Sequence, residues 1–464
     1  MAPVWPRFPA AAAVRLAVAC GLAVLLSAAL QARRGRYHDT HRRGAKIEDG
    51  KSAQRRAARL KRTGADTVLT IAGVRVAPEE ETRHIKLIGA TGTGKSTAIR
   101  EVLAAALGRG DRALIADPQG AYRARFFDGR RGDLILNPFE PASVKWDPFA
   151  ELDAPGDAEQ LAASLIPLSG DASGREWRGY ARTFMTAVLR RCRQTGGDAA
   201  ELYRLIAVAP AAELRPLVHG TAAQPFLEPE NARMFGSIRS VAVSAAAALE
   251  HLCAQRARAF SVRQWVRGGR GALFLPYQAG QIAALGAIIA AWIRLAVFEA
   301  MRAEESDQRL WFIVDELDAL GAIDGLKDAL ARLRKFGGRC VLGFQSIAQV
   351  SATYGAGDAQ TIVENCGNTL ILRCSASEHG GTSQFCSRLI GERQVLRRST
   401  STGRDTGGFG RGTRGARRSR QVSEQHVTEA AVLPSEIEQL PDLSGYLKTA
   451  SSPVWLRVRL RCAG

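Results

Sequence analysis

The hydrophobic and polar positions show two different periodicities along the chain, one typical of strands and one typical of helices. The segment "TVLTIAGVRVA" from Thr67 alternates on either side of Ala72-Gly73, which predicts a β-hairpin. "HIKLIGA" then predicts a short buried strand, and "STAIREVLAAAL" carries apolar residues at helical spacing. Two further apolar runs, "RALIADPQG" and "GDLILNPF", predict strands near Asp117 and Leu134. Strands that alternate with helices are typical of an α/β fold.

A long helical segment interrupts this alternation. Between about Asp147 and Phe260 the sequence is rich in Ala, Leu and Arg and has helical periodicity. In "EWRGYARTFMTAVLRR", six residues fall on one helical face: Trp177, Tyr180, Ala181, Phe184, Ala187 and Val188. We therefore predict an inserted all-α domain at residues 147–262.

The α/β pattern resumes after this insertion. "GALFLPY" predicts a strand, residues 282–300 predict a long apolar helix, and "RLWFIVDEL" predicts another buried strand. The two α/β stretches, residues 67–146 and residues 263–464, are therefore expected to form one domain in two parts.

The N-terminal part of the chain predicts a membrane anchor. From Phe8 to Leu30 the sequence is apolar except for Arg15, and about 20 such residues span a bilayer. A signal peptide carries its basic residues before the apolar run, whereas here "QARRGRYHDTHRRGAK" follows it. We predict an anchor at residues 1–32, a basic juxtamembrane linker at 33–66, and a cytoplasmic location for the rest of the chain.

The segment "GATGTGKST" predicts a phosphate-binding loop. It has the G-x-x-x-x-G-K-S pattern between a predicted strand and a predicted helix, which is the structural context that this motif requires. Glycines allow the backbone N–H groups to surround an anion, and the helix N-terminus adds its positive dipole. Lys95 can reach the outer phosphates, and the hydroxyl of Ser96 can bind Mg²⁺. The predicted nucleotide-binding residues are Gly89, Ala90, Thr91, Gly92, Thr93, Gly94, Lys95, Ser96 and Thr97.

Two carboxylates follow the hydrophobic strand "LWFIV". At the carboxyl end of such a strand, they lie next to the crevice in which α/β sheets bind ligands. We expect Asp315 to hold the Mg²⁺ shell together with Ser96, and Glu316 to polarise the attacking water. An Asp-Glu pair alone is more often a solvated surface feature, so this interpretation depends on the apolar run and the upstream loop.

The next strand, "RCVLGFQS", ends at Gln345. Its amide is expected to hydrogen-bond the γ-phosphate or the attacking water, and the alternative is a glutamine that caps the following turn. The helix "DALARLRKFGG" between the two strands ends with Arg332, Arg334 and Lys335. Cations at a helix C-terminus are ordinary dipole partners, but in a ring such an arginine can reach the phosphate of a neighbouring subunit.

The chain is strongly basic, which favours a polyanionic partner. Its 464 residues include 64 Lys and Arg against 45 Asp and Glu, a formal net charge of +19. Nucleic acid and an anionic membrane surface both fit this charge, and a solvated basic surface is the alternative. The eight cysteines contain no C-x-x-C pair, which favours reduced thiols over a disulfide or zinc framework.

The run "RRSTSTGRDTGGFGRGTRGARRSR" at residues 397–420 concentrates this charge, with only Asp405 opposing it. Its composition cannot bury a core and predicts a mobile basic loop. Such a loop can track a phosphate backbone, and the alternative is a solvated insertion in a surface hairpin.

A series of motifs resembles the type IV secretion coupling proteins of the TraD/TrwB group, membrane-anchored ATPases that deliver DNA in bacterial conjugation. In family order, the similar segments after Thr67 are "HIKLIGATGTGKST", "RGDRALIADPQGAY", "DLILNPFE", "ASLIP", "LWFIVDELDAL", "LRKFGGRCVLGFQS", "YGAGDAQTIVENCGNTLILR" and "LPSEIEQLPDLSGYL". Members of the group usually carry two transmembrane helices, whereas this sequence has one candidate.

The resemblance implies a fold and a set of partners. The fold is a RecA-like P-loop NTPase core of α/β class with an inserted all-α domain and an N-terminal transmembrane helix. The function is ATP hydrolysis coupled to DNA translocation, with ATP and Mg²⁺ as cofactors. The implied partners are DNA, a relaxase, inner-membrane components of the secretion system, and five further copies in a homo-hexamer at the bacterial inner membrane. Lys95, Ser96, Asp315, Glu316 and Gln345 match the family's motor positions, and Arg334 matches its proposed arginine finger.

Other functions stay open at this point. The same motor chemistry could pump protein substrates or double-stranded DNA. An adaptor that binds ATP and recruits a DNA–protein complex without moving it is a different class of function. The presence of Lys95, Asp315, Glu316 and Gln345 together argues against the adaptor, because binding alone does not require a carboxylate at the general-base position.

Overall fold

The computed structural model of the protein describes residues 40–62, 68–168, 172–302, 309–376, 381–404 and 418–461. Contacts divide the chain into two compact units. Of the described residues, the smaller unit comprises residues 40–46 and those between 390 and 431, and the larger unit comprises those between 47 and 389 and between 432 and 461. The membrane anchor predicted at residues 1–32 lies outside the described residues.

A ten-stranded sheet organises the larger unit. Its strands, numbered in chain order and given in spatial order, are β2 (Ile47–Asp49), β17 (Trp455–Arg459), β16 (Ser444–Lys448), β13 (Asn368–Ile371), β5 (Ile85–Ile88), β12 (Gly338–Phe344), β11 (Leu310–Val314), β6 (Arg112–Pro118), β10 (Ala272–Tyr277) and β7 (Leu134–Ile135). The seven strands from β13 to β7 are parallel, whereas β16 is antiparallel to both of its neighbours. This is the α/β architecture that the alternating pattern predicts.

Helices cover this sheet. Those outside the helical segment are α1 (Lys51–Arg62), α2 (Pro78–Glu81), α3 (Lys95–Gly108), α4 (Arg123–Phe126), α10 (Val262–Gly268), α11 (Ile282–Ala300), α12 (Leu326–Leu333), α13 (Ile347–Tyr354), α14 (Ala356–Glu364), α15 (Gly381–Ile390) and α16 (Pro434–Glu438). The predicted hairpin forms as β3 (Thr70–Ile71) and β4 (Val74–Arg75).

The helix α3 is fixed by its apolar face. Ile99, Val102 and Leu103 are almost fully buried in a core that also contains residues of β5, β6, β11, β12 and β13. A fully buried aliphatic side chain contributes about 1.5–3 kcal/mol, so this face holds α3 firmly against the sheet. The residues immediately before α3, which form the loop from Gly89 to Gly94, are thereby held at the sheet's carboxyl edge.

In its described residues, the helical segment contains five α-helices: α5 (Asp157–Leu165), α6 (Ala172–Gln194), α7 (Ala199–Ala207), α8 (Ala211–Val218) and α9 (Ala232–Ala254). A short parallel pair, β8 (Lys145–Trp146) and β9 (Ala259–Phe260), joins the two ends of the segment. The predicted face of α6 is the packed one, with Ala181, Phe184 and Val188 buried. Contacts place the segment in the same compact unit as the sheet.

One helix in the described part of the chain is long and apolar enough to cross a membrane. It occupies Ala279–Ala300 and includes α11, and two-thirds of its most apolar stretch is buried inside the protein. Burial by α5, α10 and the sheet accounts for its apolar character, so α11 is a core helix.

The structure differs from the prediction of a juxtamembrane linker at residues 33–66. Within its described residues the segment contains β1 (Thr40–Gly44), β2 and α1. The strand β2 pairs with β17, and the α1 residue Ala57 is 1% exposed. Gln54 Nε2 also donates to the carbonyl oxygens of Ala72 at 2.6 Å and Arg459 at 2.9 Å. The α/β unit therefore begins at Ile47 and not at Thr67, because β2 and α1 form hydrogen bonds with backbone groups that are distant in sequence.

The smaller unit contains a three-stranded antiparallel sheet of β1, β14 (Glu392–Arg404) and β15 (Arg418–Ala430). The prediction of a mobile loop at residues 397–420 is therefore wrong for residues 397–404 and 418–420, which lie in strands. Residues 405–417 are outside the described part of the chain. The alternative of a surface hairpin agrees with the observed pairing, in which thirteen residues of β14 face thirteen of β15. Backbone hydrogen bonds form this ladder, and the β14 residues Val395 and Leu396 are buried.

Candidate functional site

Four neighbouring parallel strands carry polar residues at one edge of the sheet. The loop Gly89–Gly94 follows β5, Gln345 follows β12, and Asp315 and Glu316 follow β11, all of them predicted site residues. Asp117, which was not predicted as a site residue, is the next-to-last residue of β6. Because β5, β12, β11 and β6 are adjacent in that order, these groups converge at the carboxyl edge, where α/β sheets bind ligands.

The loop between β5 and α3 depends on its glycines. Gly94 has a φ of +120° and Gly92 a φ of +78°, conformations that favour glycine. A Cβ on Gly89 would lie 2.8 Å from Cβ of Leu372. Thr93 Oγ1 donates to the Ala90 carbonyl at 2.7 Å and tightens the loop further. The result is a compact turn at the N-terminus of α3, which is a geometry suited to anions.

The P-loop lysine lies inside this turn. Lys95 is 6% exposed, and its Nζ donates to the carbonyl oxygens of Gly89 at 2.7 Å and Ala90 at 3.2 Å. Burial lowers the pKa of Lys95, while the negative charges of Asp315 and Glu316 oppose this shift. The ammonium group is therefore positioned where the loop and the two carboxylates meet.

A second cluster joins α3 to the end of β11. Ser96 Oγ donates to Asp315 Oδ2 at 2.9 Å, and the Tyr122 hydroxyl donates to the same oxygen at 2.6 Å. Asp315 is 4% exposed, and within the described residues its Oδ1 has no hydrogen-bond partner. Thr97 follows Ser96 in the first turn of α3 and is half-buried.

The orphaned oxygen of Asp315 fits a divalent cation. No group of three or more His, Cys, Asp and Glu side chains that could hold a metal occurs in the described parts of the chain. Ser96 and Asp315 alone suit Mg²⁺, which is usually bound through one or two protein oxygens and keeps several waters or phosphate oxygens. The two residues predicted as metal ligands are therefore adjacent in the structure, and their chemistry fits that ion.

Glu316 and Gln345 form the third cluster. Gln345 Nε2 donates to Glu316 Oε1 at 2.8 Å, and Thr91 Oγ1 donates to Gln345 Oε1 at 3.1 Å. Burial and then the charge of Asp315 raise the pKa of Glu316, while the hydrogen bond from Gln345 opposes the rise. Gln345 thus connects the P-loop to Glu316, the predicted general base.

The close approach of β12 to β11 depends on a glycine. A Cβ on Gly343 would lie 1.9 Å from the carbonyl oxygen of Asp315, and the Leu317 N–H donates to the Gly343 carbonyl at 3.2 Å. Only glycine allows the two backbones to pass so closely at this point. This contact sets the separation between Glu316 and Gln345, which follow the two strands.

Asp117 and Tyr122 are site residues that the sequence did not reveal. Asp117 is fully buried and accepts backbone N–H groups of Tyr122 at 2.9 Å and Arg123 at 2.7 Å. Burial raises the pKa of Asp117 to about 6 against these two donors. The end of an apolar strand was a signal for Asp117, but nothing in the local sequence marked Tyr122.

Within one subunit, Arg334 lies far from these groups. It is exposed in a short 3₁₀ turn directly before β12, whereas Gln345 follows the other end of that strand. At about 3.3 Å per residue, the seven residues of β12 separate the two sheet edges by roughly 23 Å. The structure therefore brings together Lys95, Ser96, Asp315, Glu316 and Gln345 but not Arg334.

Comparison with known proteins agrees with this geometry. The family profile of the type IV secretion-system coupling protein DNA-binding domain matches residues 68–461. Coupling protein TraD of Escherichia coli (strain K12) is 27% identical over 454 residues, which cover 96% of this chain and 61% of that relative. The chain thus spans less than two-thirds of the length of this curated relative.

Solved structures of coupling proteins are also similar to this chain. Plasmid coupling protein TrwB in complex with the non-hydrolysable ATP analogue ADPNP has a TM-score of 0.78 and 30% identity, over 91% of this chain and 95% of that one. TrwB in complex with ADP and Mg²⁺ has a TM-score of 0.79 and 29% identity, over 92% and 95%. With the family profile matching most of its length, this chain belongs to the type IV secretion-system coupling protein family.

Proposed function

We propose that this protein is an ATPase of bacterial conjugation that couples ATP hydrolysis to DNA movement through a type IV secretion channel. The observation that carries the proposal is the convergence of Lys95, Ser96, Asp315, Glu316 and Gln345 at one sheet edge. The solved TrwB complexes with ADPNP and with ADP and Mg²⁺ support binding of the same ligands here.

Each side chain then has a role in nucleotide binding. The backbone N–H groups of residues 89–97 and the ammonium group of Lys95 bind the phosphates. Ser96 and Asp315 would hold Mg²⁺, which when bound neutralises charge on the phosphate oxygens. Tyr122 donates to Asp315 and keeps its carboxylate oriented toward Ser96.

Glu316 and Gln345 supply the chemistry of hydrolysis. Glu316 accepts a proton from the attacking water, and its raised pKa makes it a stronger base than an ordinary glutamate. Gln345 orients Glu316 through its amide N–H and is linked to the loop through Thr91. It is therefore placed to respond when the γ-phosphate leaves.

Hydrolysis is completed between subunits in this proposal. Arg334 is exposed and lies at the opposite sheet edge, so it serves the site of a neighbouring copy in a homo-hexamer as an arginine finger. DNA passes through the assembly without sequence preference, which agrees with the net charge of +19.

Membership of the family supports the proposed location and partners. Residues 1–32 anchor the chain in the bacterial inner membrane, and the remainder, including the helical segment 147–262, faces the cytoplasm. A relaxase–DNA complex and the inner-membrane components of the secretion system are the partners that the coupling role requires. The family profile of a coupling-protein DNA-binding domain supports this assignment.

The test is ATP turnover by the full-length chain in lipid nanodiscs, with and without single- and double-stranded DNA. Magnesium-dependent hydrolysis that DNA accelerates is the expected result. Hydrolysis that only protein substrates accelerate would favour a protein pump instead. ATP binding without turnover under any of these conditions would favour the adaptor and overturn the proposal.

A further inference from the structure

Three buried oxygen atoms without hydrogen-bond partners lie around the carboxyl ends of β10 and β11. Within the described ranges of the chain they are Asp315 Oδ1, Asp318 Oδ1 and the hydroxyl oxygen of Tyr277. Buried polar atoms in native proteins almost always have a partner, so each exception calls for an explanation. Binding of Mg²⁺ accounts for Asp315 but assigns no role to Tyr277 or to Asp318.

Tyr277 is held firmly at the end of β10. It is the last residue of that strand and is 4% exposed. Its carbonyl oxygen accepts the Gln119 N–H at 2.7 Å, which ties the end of β10 to the loop that follows β6. A phenylalanine would fill the same space without burying an unpaired hydroxyl group. Packing alone therefore does not explain a tyrosine at this position.

The register of the sheet places Tyr277 level with Glu316. Tyr277 lies opposite Pro118 of β6, and two positions earlier Ala116 of β6 lies opposite Val314 of β11. Extending this parallel register by two positions puts Glu316 level with Pro118, so one strand separates it from Tyr277. Adjacent strands are about 4.8 Å apart, so the two Cα atoms are roughly 10 Å apart. Residues at one level of a parallel sheet share a face, and the two side chains together can span this distance.

The charges around Tyr277 agree with this proximity. Burial raises the pKa of Tyr277, and the negative charge of Glu316 adds to the rise more than those of the surrounding aspartates, which include Asp318. Asp318 is the first residue of the 3₁₀ turn after β11, and its charge also acts on Glu316. Glu316 Oε1 accepts the hydrogen bond from Gln345, whereas Oε2 has no such bond to any described residue. Glu316 Oε2 is therefore available on the side of Tyr277 and Asp318.

We propose that Tyr277 and Asp318 bind, together with Glu316, the water molecule that attacks the γ-phosphate of ATP. This inference rests on the proposed function, in which Glu316 is the general base. The Tyr277 hydroxyl donates to the water oxygen, and the water donates its two hydrogens to Asp318 Oδ1 and Glu316 Oε2. One lone pair of the water then remains for the phosphorus atom. Three polar partners are the usual number for a buried water.

The three side chains have different roles in the reaction. The water oxygen forms a bond to the γ-phosphorus, the bond from this phosphorus to the bridging oxygen of the leaving ADP breaks, and one proton of the water passes to Glu316. Tyr277 keeps its proton, and together with Asp318 it fixes the orientation of the water. Because this orientation matters for the reaction and not for ATP binding, loss of either group should lower kcat and leave KM unchanged.

Tyr277→Phe tests the role of the hydroxyl group. The full-length variant in lipid nanodiscs is compared with wild type for kcat, KM and the midpoint of thermal unfolding. We expect kcat to fall about tenfold, which is the upper range for one hydrogen bond, with KM unchanged. The midpoint should not fall, because within the described residues the hydroxyl group has no hydrogen bond to lose. The control Tyr203→Phe removes a hydroxyl group from the helical segment and should leave kcat as in wild type.

Asp318→Ala tests the second partner of the water independently. It should also lower kcat about tenfold without raising KM, because it removes one acceptor from the same water. The control Asp328→Ala removes an exposed aspartate from α12 and should change neither constant. In the double variant Tyr277→Phe/Asp318→Ala the two losses should not add, since both groups hold one molecule. Losses that add in full would overturn the shared water site.

The remaining outcomes separate this inference from the proposed function. Near-normal turnover in Glu316→Gln would overturn the general base itself. Loss of turnover in Glu316→Gln together with a near-normal kcat in Tyr277→Phe would overturn the water site alone. A lower unfolding midpoint in Tyr277→Phe would assign the hydroxyl group a structural role, and a raised KM would assign it to ATP binding. Either result would also overturn the inference.

Discussion

Gln345 Nε2 donates a 2.8 Å hydrogen bond to Glu316 Oε1, although 29 positions separate the two residues in the sequence. They follow the adjacent parallel strands β12 and β11, and Gln345 also accepts a hydrogen bond from Thr91 in the P-loop. A change at the phosphate-binding loop can therefore reach the proposed general base through a single side chain.

Replacing Glu316 with glutamine should abolish turnover and preserve ATP binding. The amide keeps the size of the side chain but cannot accept a proton from water, and a general base contributes typically 10²–10⁴-fold. Turnover and binding of a fluorescent ATP analogue are measured on the same sample. The matched variant Glu228→Gln, at an exposed position of the helical segment, should behave as wild type. Near-normal turnover in Glu316→Gln would refute the assignment.

The fall in activity on the acid side of the pH–activity profile should reflect protonation of Glu316. Burial and Asp315 raise its pKa, so the carboxylate takes up a proton at a higher pH than an ordinary glutamate, and kcat/KM falls as it does so. The hydrogen bond from Gln345 lowers this pKa, so Gln345→Ala should move the acid limb to higher pH. Gln360→Ala removes a comparable 2.8 Å bond to Glu364 on the surface and should not move the limb. A limb that stays in place in Gln345→Ala would contradict the role of this hydrogen bond.

Tyr122→Phe should weaken the response to Mg²⁺. The hydroxyl group donates to Asp315 Oδ2 and orients the carboxylate, and loss of such a partner typically costs 10–100-fold in metal affinity. The Mg²⁺ concentration for half-maximal hydrolysis is expected to rise about tenfold. In Tyr203→Phe, which removes a hydrogen bond to exposed Glu250, the concentration should not change. An unchanged value in Tyr122→Phe would show that Ser96 alone orients Asp315.

Arg334→Ala should inhibit wild-type protein when the two are mixed. Because each variant subunit disables the site of a neighbour, activity should fall more steeply than the fraction of wild-type chains. Specific activity of the wild type should also rise with protein concentration. Arg332→Ala changes an exposed arginine at the end of the same helix and should give simple dilution. Simple dilution with Arg334→Ala as well would leave Arg334 as an ordinary dipole partner of α12.

The sequence by itself determined the elements whose characteristic residues lie close together in the chain. The P-loop, the strand that ends in Asp315 and Glu316, and the buried face of α6 each depend on residues within about one turn or one strand of each other. Local conformational preferences and hydrophobic periodicity act over that range, so these features can be found without knowing what packs against them.

Only the tertiary structure decided which of these elements meet. The bond from Tyr122 to Asp315 spans 193 positions and that from Gln54 to Arg459 spans 405, and no local pattern encodes either. The pairing of β2 with β17 converts an apparent linker into the edge of the sheet, and a backbone ladder pairs residues 397–404 with residues 418–425. Strand order and register are set by long-range burial and by backbone hydrogen bonds between distant segments, and these interactions exist only in the folded chain.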